Sequence, residues 1–190
     1  MSQRRFFVAG DDWGLVEIIP AENAQQYERV KQQVAEHHKD TAFSPNGWTT
    51  PPFIIPPPEV PLSAREIPLS ELGEVFGGLL VRAAVVETCE DLTGKAFEAL
   101  GCFAWGAPQE FRAGFYGNAP TGIVDTLLLS EWRFDEGLAG RLGVSLARFG
   151  AKYRLLLVSH GCCCLALEDQ ERLTVFLGKG FEGLCEQDGV

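Results

Sequence analysis

The stretch "VSHGCCCLAL" at residues 158–167 holds the densest group of potentially reactive side chains, with Cys162, Cys163 and Cys164 following two residues after His160. Histidine nitrogen and cysteine sulfur are common zinc ligands, and a cysteine thiolate is a nucleophile. On a strand, His160, Cys162 and Cys164 would share one face and Cys163 would point to the other. Loop-borne zinc ligands are separated by two or more residues, however, and no second Cys or His pair stands nearby. Because free cysteine behaves as a small apolar residue, the pattern favours strand packing over a metal site or a reactive thiol.

The turn-like segment "GDDWG" at residues 10–14 is the second candidate. Adjacent carboxylates such as Asp11 and Asp12 can hold Mg²⁺ or divide the roles of acid and base. Asp and Gly also populate tight turns for purely local reasons, which favours a turn here. Trp13, if exposed beside two acids, suits contact with a protein partner.

The remaining motifs indicate no familiar catalysis. The chain lacks G-x-S-x-G, and its Gly-rich segments at 73–78 and 178–183 match neither nucleotide-binding fingerprint. Pro58 and Pro61 form a minimal P-x-x-P pattern, for which burial of the surrounding segment is the simpler account. We therefore predict no catalytic residue, no metal and no cofactor.

The net charge of −10 limits the classes of partner. Nucleic acids and anionic membranes are bound mainly through Lys and Arg, so we expect neither as a partner. Residues 59–98 hold eight acids and three bases, which indicates either a solvated helix face or a surface that meets a basic partner. No segment approaches the length of an apolar membrane span, and the N-terminus lacks a signal-peptide core. We expect a cytoplasmic protein with its six cysteines reduced.

The N-terminal half is predicted as one part of a single domain covering residues 1–190. Residues 4–19 predict two short strands joined as a hairpin. Pro20 is expected to open a helix over 21–39, because proline is tolerated in a helix's first turn. Residues 40–68 contain eight of the eleven prolines and predict an extended arm that wraps the domain. We expect this arm to bury its apolar side chains, which are Phe53, Ile54, Ile55 and Val60.

From Ser70, a possible N-cap, the spacing of apolar residues predicts a helix through about residue 92. Residues 93–108 predict a short helix or turn followed by a strand, 110–122 a strand that ends in a turn, and 123–134 either a strand or a helix. Asp135 is expected to cap a helix that ends near Gly150. The runs "YRLLLVS", "CCCLALE" and "RLTVFLG" predict an antiparallel meander. The fold class is therefore α+β: an antiparallel sheet of about five to seven strands packed by three or four helices.

In general character the chain resembles the bacterial immunity proteins that block a cognate toxin, which are small, cytosolic, acidic and without catalytic motifs. This resemblance implies that the protein binds a basic toxin and occludes its active site. The binding residues we predict are Asp11, Asp12, Trp13, Glu87, Glu90 and Asp91. The alternative is a small enzyme or ligand-binding protein whose site converges from distant segments, for instance Asp11, His160 and Glu168. A structural subunit of a larger assembly is a third, weaker hypothesis.

Overall fold

The computed structural model describes residues 4–8, 16–39, 43–44, 47–48, 53–89, 96–130, 133–159 and 163–188. The described residues form four helices: α1 (Ala24–Lys39), α2 (Leu69–Phe76), α3 (Glu136–Tyr153) and α4 (Gln170–Asp188). They also form twelve strands: β1 (Arg5–Val8), β2 (Val16–Pro20), β3 (Phe43–Ser44), β4 (Gly47–Trp48), β5 (Val81–Arg82), β6 (Val85–Cys89), β7 (Ala96–Glu98), β8 (Cys102–Gly106), β9 (Gly114–Asn118), β10 (Thr126–Ser130), β11 (Leu155–Ser159) and β12 (Cys163–Ala166).

The large sheet has seven strands in the order β12-β11-β2-β10-β9-β8-β5, and every neighbouring pair is antiparallel. Along each strand, side chains alternate between the two faces. In β2, for example, Val16 and Ile18 join the cluster under the helices, whereas Ile19 joins a separate cluster on the opposite face. The structure thus confirms the α+β class, with a seven-stranded antiparallel sheet and four helices.

Helices α2, α3 and α4 cover one face of the large sheet. In α3 the apolar stripe of Leu138, Leu142, Leu146 and Phe149 is buried. The Asp135 carboxylate accepts a hydrogen bond from the Leu138 N–H, which confirms the predicted N-cap. From α2, the Phe76 ring stacks on Phe115 of β9 at a centroid distance of 4.7 Å. These contacts make the largest apolar core of the described chain.

The opposite face of the large sheet is covered by α1 and by a second, small sheet. On α1, Tyr27 packs with Ile19, Leu156 and Val158, and its hydroxyl donates to the buried Ser159 carbonyl. The small sheet has the order β1-β6-β7, in which β1 pairs with β6 in parallel and β6 with β7 in antiparallel orientation. The chain passes from the large to the small sheet at the β5–β6 junction, where the Ala83 N–H bonds to Ala104 and the Ala84 N–H bonds to Arg4.

The predicted hairpin over residues 4–19 is wrong. Its two strands, β1 and β2, belong to different sheets and pair with strands far away in sequence. Local alternation of apolar residues predicts that a segment is a strand, but it carries no information about the strand's partner.

Two predicted elements change type. The helix predicted from Ser70 begins at Leu69 after Pro68, has no side-chain cap, and ends at Phe76. Gly78 then takes a positive φ of 77°, which favours glycine, and the described residues of the expected helix that follow include β5 and β6. The third strand of the expected meander is instead the start of α4, because Leu173, Phe176 and Leu177 are buried together at helical spacing.

The segments whose predictions left alternatives open resolve as strands. Residues 93–108 contain β7, a turn and β8, and residues 123–134 contain β10. The strand predicted within residues 110–122 is confirmed as β9. A single turn of 3₁₀ helix at Ala21–Asn23 precedes α1, which confirms the helix expected after Pro20.

The backbone of the Pro-rich arm is held by the 3₁₀ turn that precedes α1 and by the first turn of α1. The Asn23 side chain donates to the Val60 carbonyl and accepts from the Val60 N–H. The Gln26 side chain donates to the Pro57 carbonyl and accepts from the Glu59 N–H. The expected burial of the arm's apolar residues is wrong for Ile54, which is 85% exposed, and for Ile55. Polar anchoring of an extended backbone replaces side-chain burial here. Before this stretch, β3 and β4 form a minimal antiparallel ladder, a regular element that the proline content did not predict.

Candidate partner-binding surface

The small sheet has one buried face and one exposed face. Phe6 and Val8 of β1 and Val86 of β6 point inwards, where they pack with Ala104 and Tyr116 of the large sheet. The alternate residues point outwards. The outer face presents Arg5, Phe7, Val85, Glu87 and Glu98.

The strand register brings an apolar and two acidic side chains into one row of the outer face. Phe7 lies opposite Glu87, and Glu87 lies opposite Glu98, so that the row crosses all three strands. Phe7 is 40% exposed, which is unusual for a large apolar side chain at the centre of a strand. An aromatic ring beside carboxylates can contact both the apolar stem and the charged end of a Lys or Arg side chain.

The charges in this row are not balanced. Arg5 forms an ion pair with Glu87, whose side chain is only 20% exposed. Glu98 is exposed, and no ion pair to it occurs among the described residues. Like charges directly opposite each other on neighbouring strands are destabilising, so the Glu87–Glu98 pair has room for one further cation.

Exposed apolar side chains concentrate around β7. Phe97 is 48% exposed, and Leu100, in the turn that follows β7, is 86% exposed. With Phe7 they make three of the five large apolar side chains that are exposed in the described part of the chain, and the other two lie on the Pro-rich arm. Phe97 is in register with Thr88 and not with Glu87, so its ring lies on the opposite face of the small sheet from Phe7 and Glu98.

Of the predicted binding residues, the structure describes Glu87, which lies in this row. Asp11, Asp12, Trp13, Glu90 and Asp91 lie outside the described residues. The chain leaves the described part after Val8 and again after Cys89. Because β1 and β6 are parallel and Val8 is in register with Thr88, Val8 and Cys89 lie near each other at the carboxyl ends of these two strands.

The sequence analysis missed Arg5, Phe7, Phe97, Glu98 and Leu100. Phe7 was predicted to lie in a strand of a hairpin, with no prediction of the face to which its ring points, and Glu98 to lie in a short helix or turn. The available signal was the alternation in "RRFFV", where Phe6 and Phe7 must point to opposite sides of a strand. Alternation alone does not show which of the two is buried.

In the cysteine-rich strand, Cys164 packs against the core. Cys164 lies against the cluster of Ile19, Tyr27, Leu156 and Val158, and burial raises the pKa of its thiol. A raised pKa lowers the thiolate fraction and hence the nucleophilicity at neutral pH. No group of three or more His, Cys, Asp or Glu side chains suited to a metal occurs in the described part of the chain.

His160 and Cys162 lie outside the described residues, as does Asp11 of the alternative site. Glu168, the third member of that site, is exposed. The alternative trio therefore stays a prediction.

An open cleft of about 420 Å³ lies at the start of α3. Its polar lining consists of Gln109, Glu110, Arg133, Asp135 and Arg141, around an apolar floor that includes Phe134 and Leu138. Arg133 approaches Glu182 at 3.6 Å, with both side chains well exposed, whereas Arg141 has no ion pair among the described residues. Two arginines facing two acids give the cleft a mixed, roughly neutral character.

No known family profile, no curated protein and no solved structure matches the chain. In the described ranges, none of the helices combines the length and apolar character needed to cross a bilayer.

Proposed function

We propose that this chain is a protein-binding module of the immunity type, which binds a basic toxin and occludes its active site. The observation that supports this proposal is the row Phe7, Glu87 and Glu98 on the outer face of the small sheet. It joins an exposed aromatic ring to two carboxylates that have one ion-pairing cation, Arg5, among the described residues.

The physics of such a complex follows from the charge. A chain of net charge −10 attracts a basic partner over a distance and raises the rate of encounter. Close contact then depends on apolar area and on a few well-packed residues near the centre of the interface. Phe7 supplies such area next to the acids, and Phe97 and Leu100 add exposed apolar surface on β7 and in the turn that follows it. Inhibition requires only that the bound module blocks access to the partner's active site.

The test is capture of the partner by the tagged chain from cells of its own source, at low and at high salt, with identification by mass spectrometry. Glu98→Lys is the informative variant, and Glu74→Lys is its matched control. Glu74 is an exposed acid of α2, a helix that covers the other face of the large sheet, so both variants change the net charge equally.

We expect the wild type to retain one basic protein whose activity it inhibits, with less retained at high salt. Glu98→Lys should lose that partner, and Glu74→Lys should keep it. Equal capture by the two variants would place the interface elsewhere. A purified chain that retains no partner and instead turns over a small substrate would refute the binding function.

The second candidate function is binding of a small ligand with an anionic group, which would contact Arg141, the arginine of the cleft that has no ion pair among the described residues. A ligand that binds only the folded chain raises its stability by about 2.7 kcal/mol at a concentration of 100 Kd. A panel of carboxylates and phosphate esters should therefore contain a compound that raises the Tm of the wild type and not that of Arg141→Gln. If no compound separates the two proteins, the cleft is not a ligand site.

A further inference from the structure

Strand β7 is the outermost strand of the small sheet, and its hydrogen bonds define which of its backbone groups face outwards. The Ala99 N–H bonds to the Val86 carbonyl, so Val86 and Ala99 form a hydrogen-bonded pair of the antiparallel ladder. Bonded and non-bonded pairs alternate along such a ladder. Thr88–Phe97 is therefore a bonded pair, and Glu87–Glu98 and Cys89–Ala96 are non-bonded pairs.

It follows that Phe97 directs its backbone N–H and C=O towards β6, whereas Ala96 and Glu98 direct theirs away from the sheet. Within the described residues, no strand pairs with this side of β7. An open row of donors and acceptors of this kind is a template for one more strand.

The side chains around the edge define the chemistry of that strand. In the non-bonded pair the Glu87 and Glu98 side chains are brought closest, and within the described ranges Arg5 is the one cation that forms an ion pair with either of them. Phe97 and Leu100 supply apolar surface at the same strand and in its following turn. A second copy of the chain would bring the same acids and the same net charge to this edge, which argues against self-pairing.

We propose that the edge of β7 recruits an extended segment of a protein partner as a fourth strand, with Lys or Arg side chains facing Glu98 and Glu87. The inference rests on the proposed function and specifies how the partner is recognised. Backbone hydrogen bonds from Ala96 and Glu98 hold the segment, and the alternating side chains select it.

A direct test uses the wild-type chain and a capped peptide of six residues in which lysine and valine alternate. In two-dimensional amide NMR spectra, the Ala96 and Glu98 signals should shift on titration, and their hydrogen exchange should slow. The Phe97 amide, which already bonds to β6, should keep its exchange rate. A peptide N-methylated at every second residue, which cannot form the ladder, should have no effect. Unchanged Ala96 and Glu98 amides at a peptide concentration of a few millimolar would overturn the proposal.

A second test separates this proposal from the proposed function. Ala96→Pro removes one outward N–H without changing a charge, at the first position of an edge strand where proline is tolerated. Ala96→Ser keeps the N–H and serves as the control. One lost backbone hydrogen bond should weaken binding of the captured partner about two- to tenfold. Full binding by Ala96→Pro, together with a loss in Glu98→Lys, would refute strand addition and leave the binding function intact. If no partner is captured at all, the binding function fails, and the peptide titration still decides whether the edge accepts a strand.

Discussion

The contact between α3 and α4 gives a sharp test of the fold, because two glycines of α3 differ only in their surroundings. Gly143 is buried, and a Cβ placed there would overlap Thr174 Oγ1 of α4 and lie 3.3 Å from Thr174 Cβ. Gly140, one turn earlier, has no atom within 4 Å of the same hypothetical Cβ. We compare Gly143→Ala with Gly140→Ala.

Both substitutions gain about 1 kcal/mol from the helix propensity of alanine, so this gain cancels in the comparison. Gly143→Ala must also rotate the Thr174 side chain or shift α4, and overpacking of this kind costs about 1–3 kcal/mol. The difference between the two variants is therefore about 1–3 kcal/mol. At about 2–4 °C per kcal/mol for a chain of this size, the Tm values should differ by about 2–12 °C.

The assay is urea and thermal unfolding followed by circular dichroism, for both single variants and for Gly143→Ala combined with Thr174→Ala. Removing the threonine oxygen relieves the overlap, so the double variant should lose less stability than the sum of the single changes. Equal stabilisation by Gly140→Ala and Gly143→Ala would show that α4 does not approach α3 at Gly143. The packing of the helical layer described above would then be wrong.

Three further predictions concern polar contacts. Asn23→Ala removes three hydrogen bonds from a fully buried side chain, two of them to Val60, and should lower the free energy of unfolding by about 2–3 kcal/mol. Limited proteolysis should then cut residues 53–60 faster than in the wild type. An unchanged cleavage pattern would contradict the anchoring of the arm by Asn23. Tyr27→Phe takes the hydroxyl donor from the buried Ser159 carbonyl and should lower the free energy of unfolding by about 1 kcal/mol, measured in urea; wild-type stability would show that this bond contributes nothing. The hydrogen bond from Lys152, with a second from Tyr153, holds the pKa of Glu71 below its ordinary value of 4.5. A lowered folded-state pKa stabilises the fold above pH 4.5, and this stabilisation is lost as the pH falls through the pKa of the folded state. Glu71→Gln should therefore be less stable than the wild type at pH 7 and equally stable at low pH. A difference in stability that persists in acid would have another cause.

How much of the fold the sequence predicts depends on whether the information is local. Asp135 and the stripe from Leu138 to Phe149 act within one helix, and they predicted α3 and its cap correctly. "RLTVFLG" fits both a strand and a helix, and its packing against α3 decided for the helix. The pairing of β1 with β6 joins residues about eighty positions apart, and no pattern in either segment records it.

The same reasoning applies to the binding surface. Composition predicted an acidic, partner-facing surface, and Glu87 was placed among its residues. The opposing Glu98 was missed because a strand of three residues, Ala96–Glu98, has too few positions to show alternation. The position of Glu98 in the row beside Glu87 follows from the register of β7 with β6, which only tertiary structure supplies.

The place of β2 in the large sheet has a consequence for synthesis. On one side of it lie β5, β8, β9 and β10, all within residues 81–130, and on the other lie β11 and β12, within residues 155–166. Among the described strands of the large sheet, these two blocks are joined through β2, which is synthesised before either of them. Although β2 is the first of these strands to be made, its second neighbour, β11, ends only at Ser159. We expect the nascent chain to stay open until most of its 190 residues are made, and to depend during that time on protection of its unpaired strands.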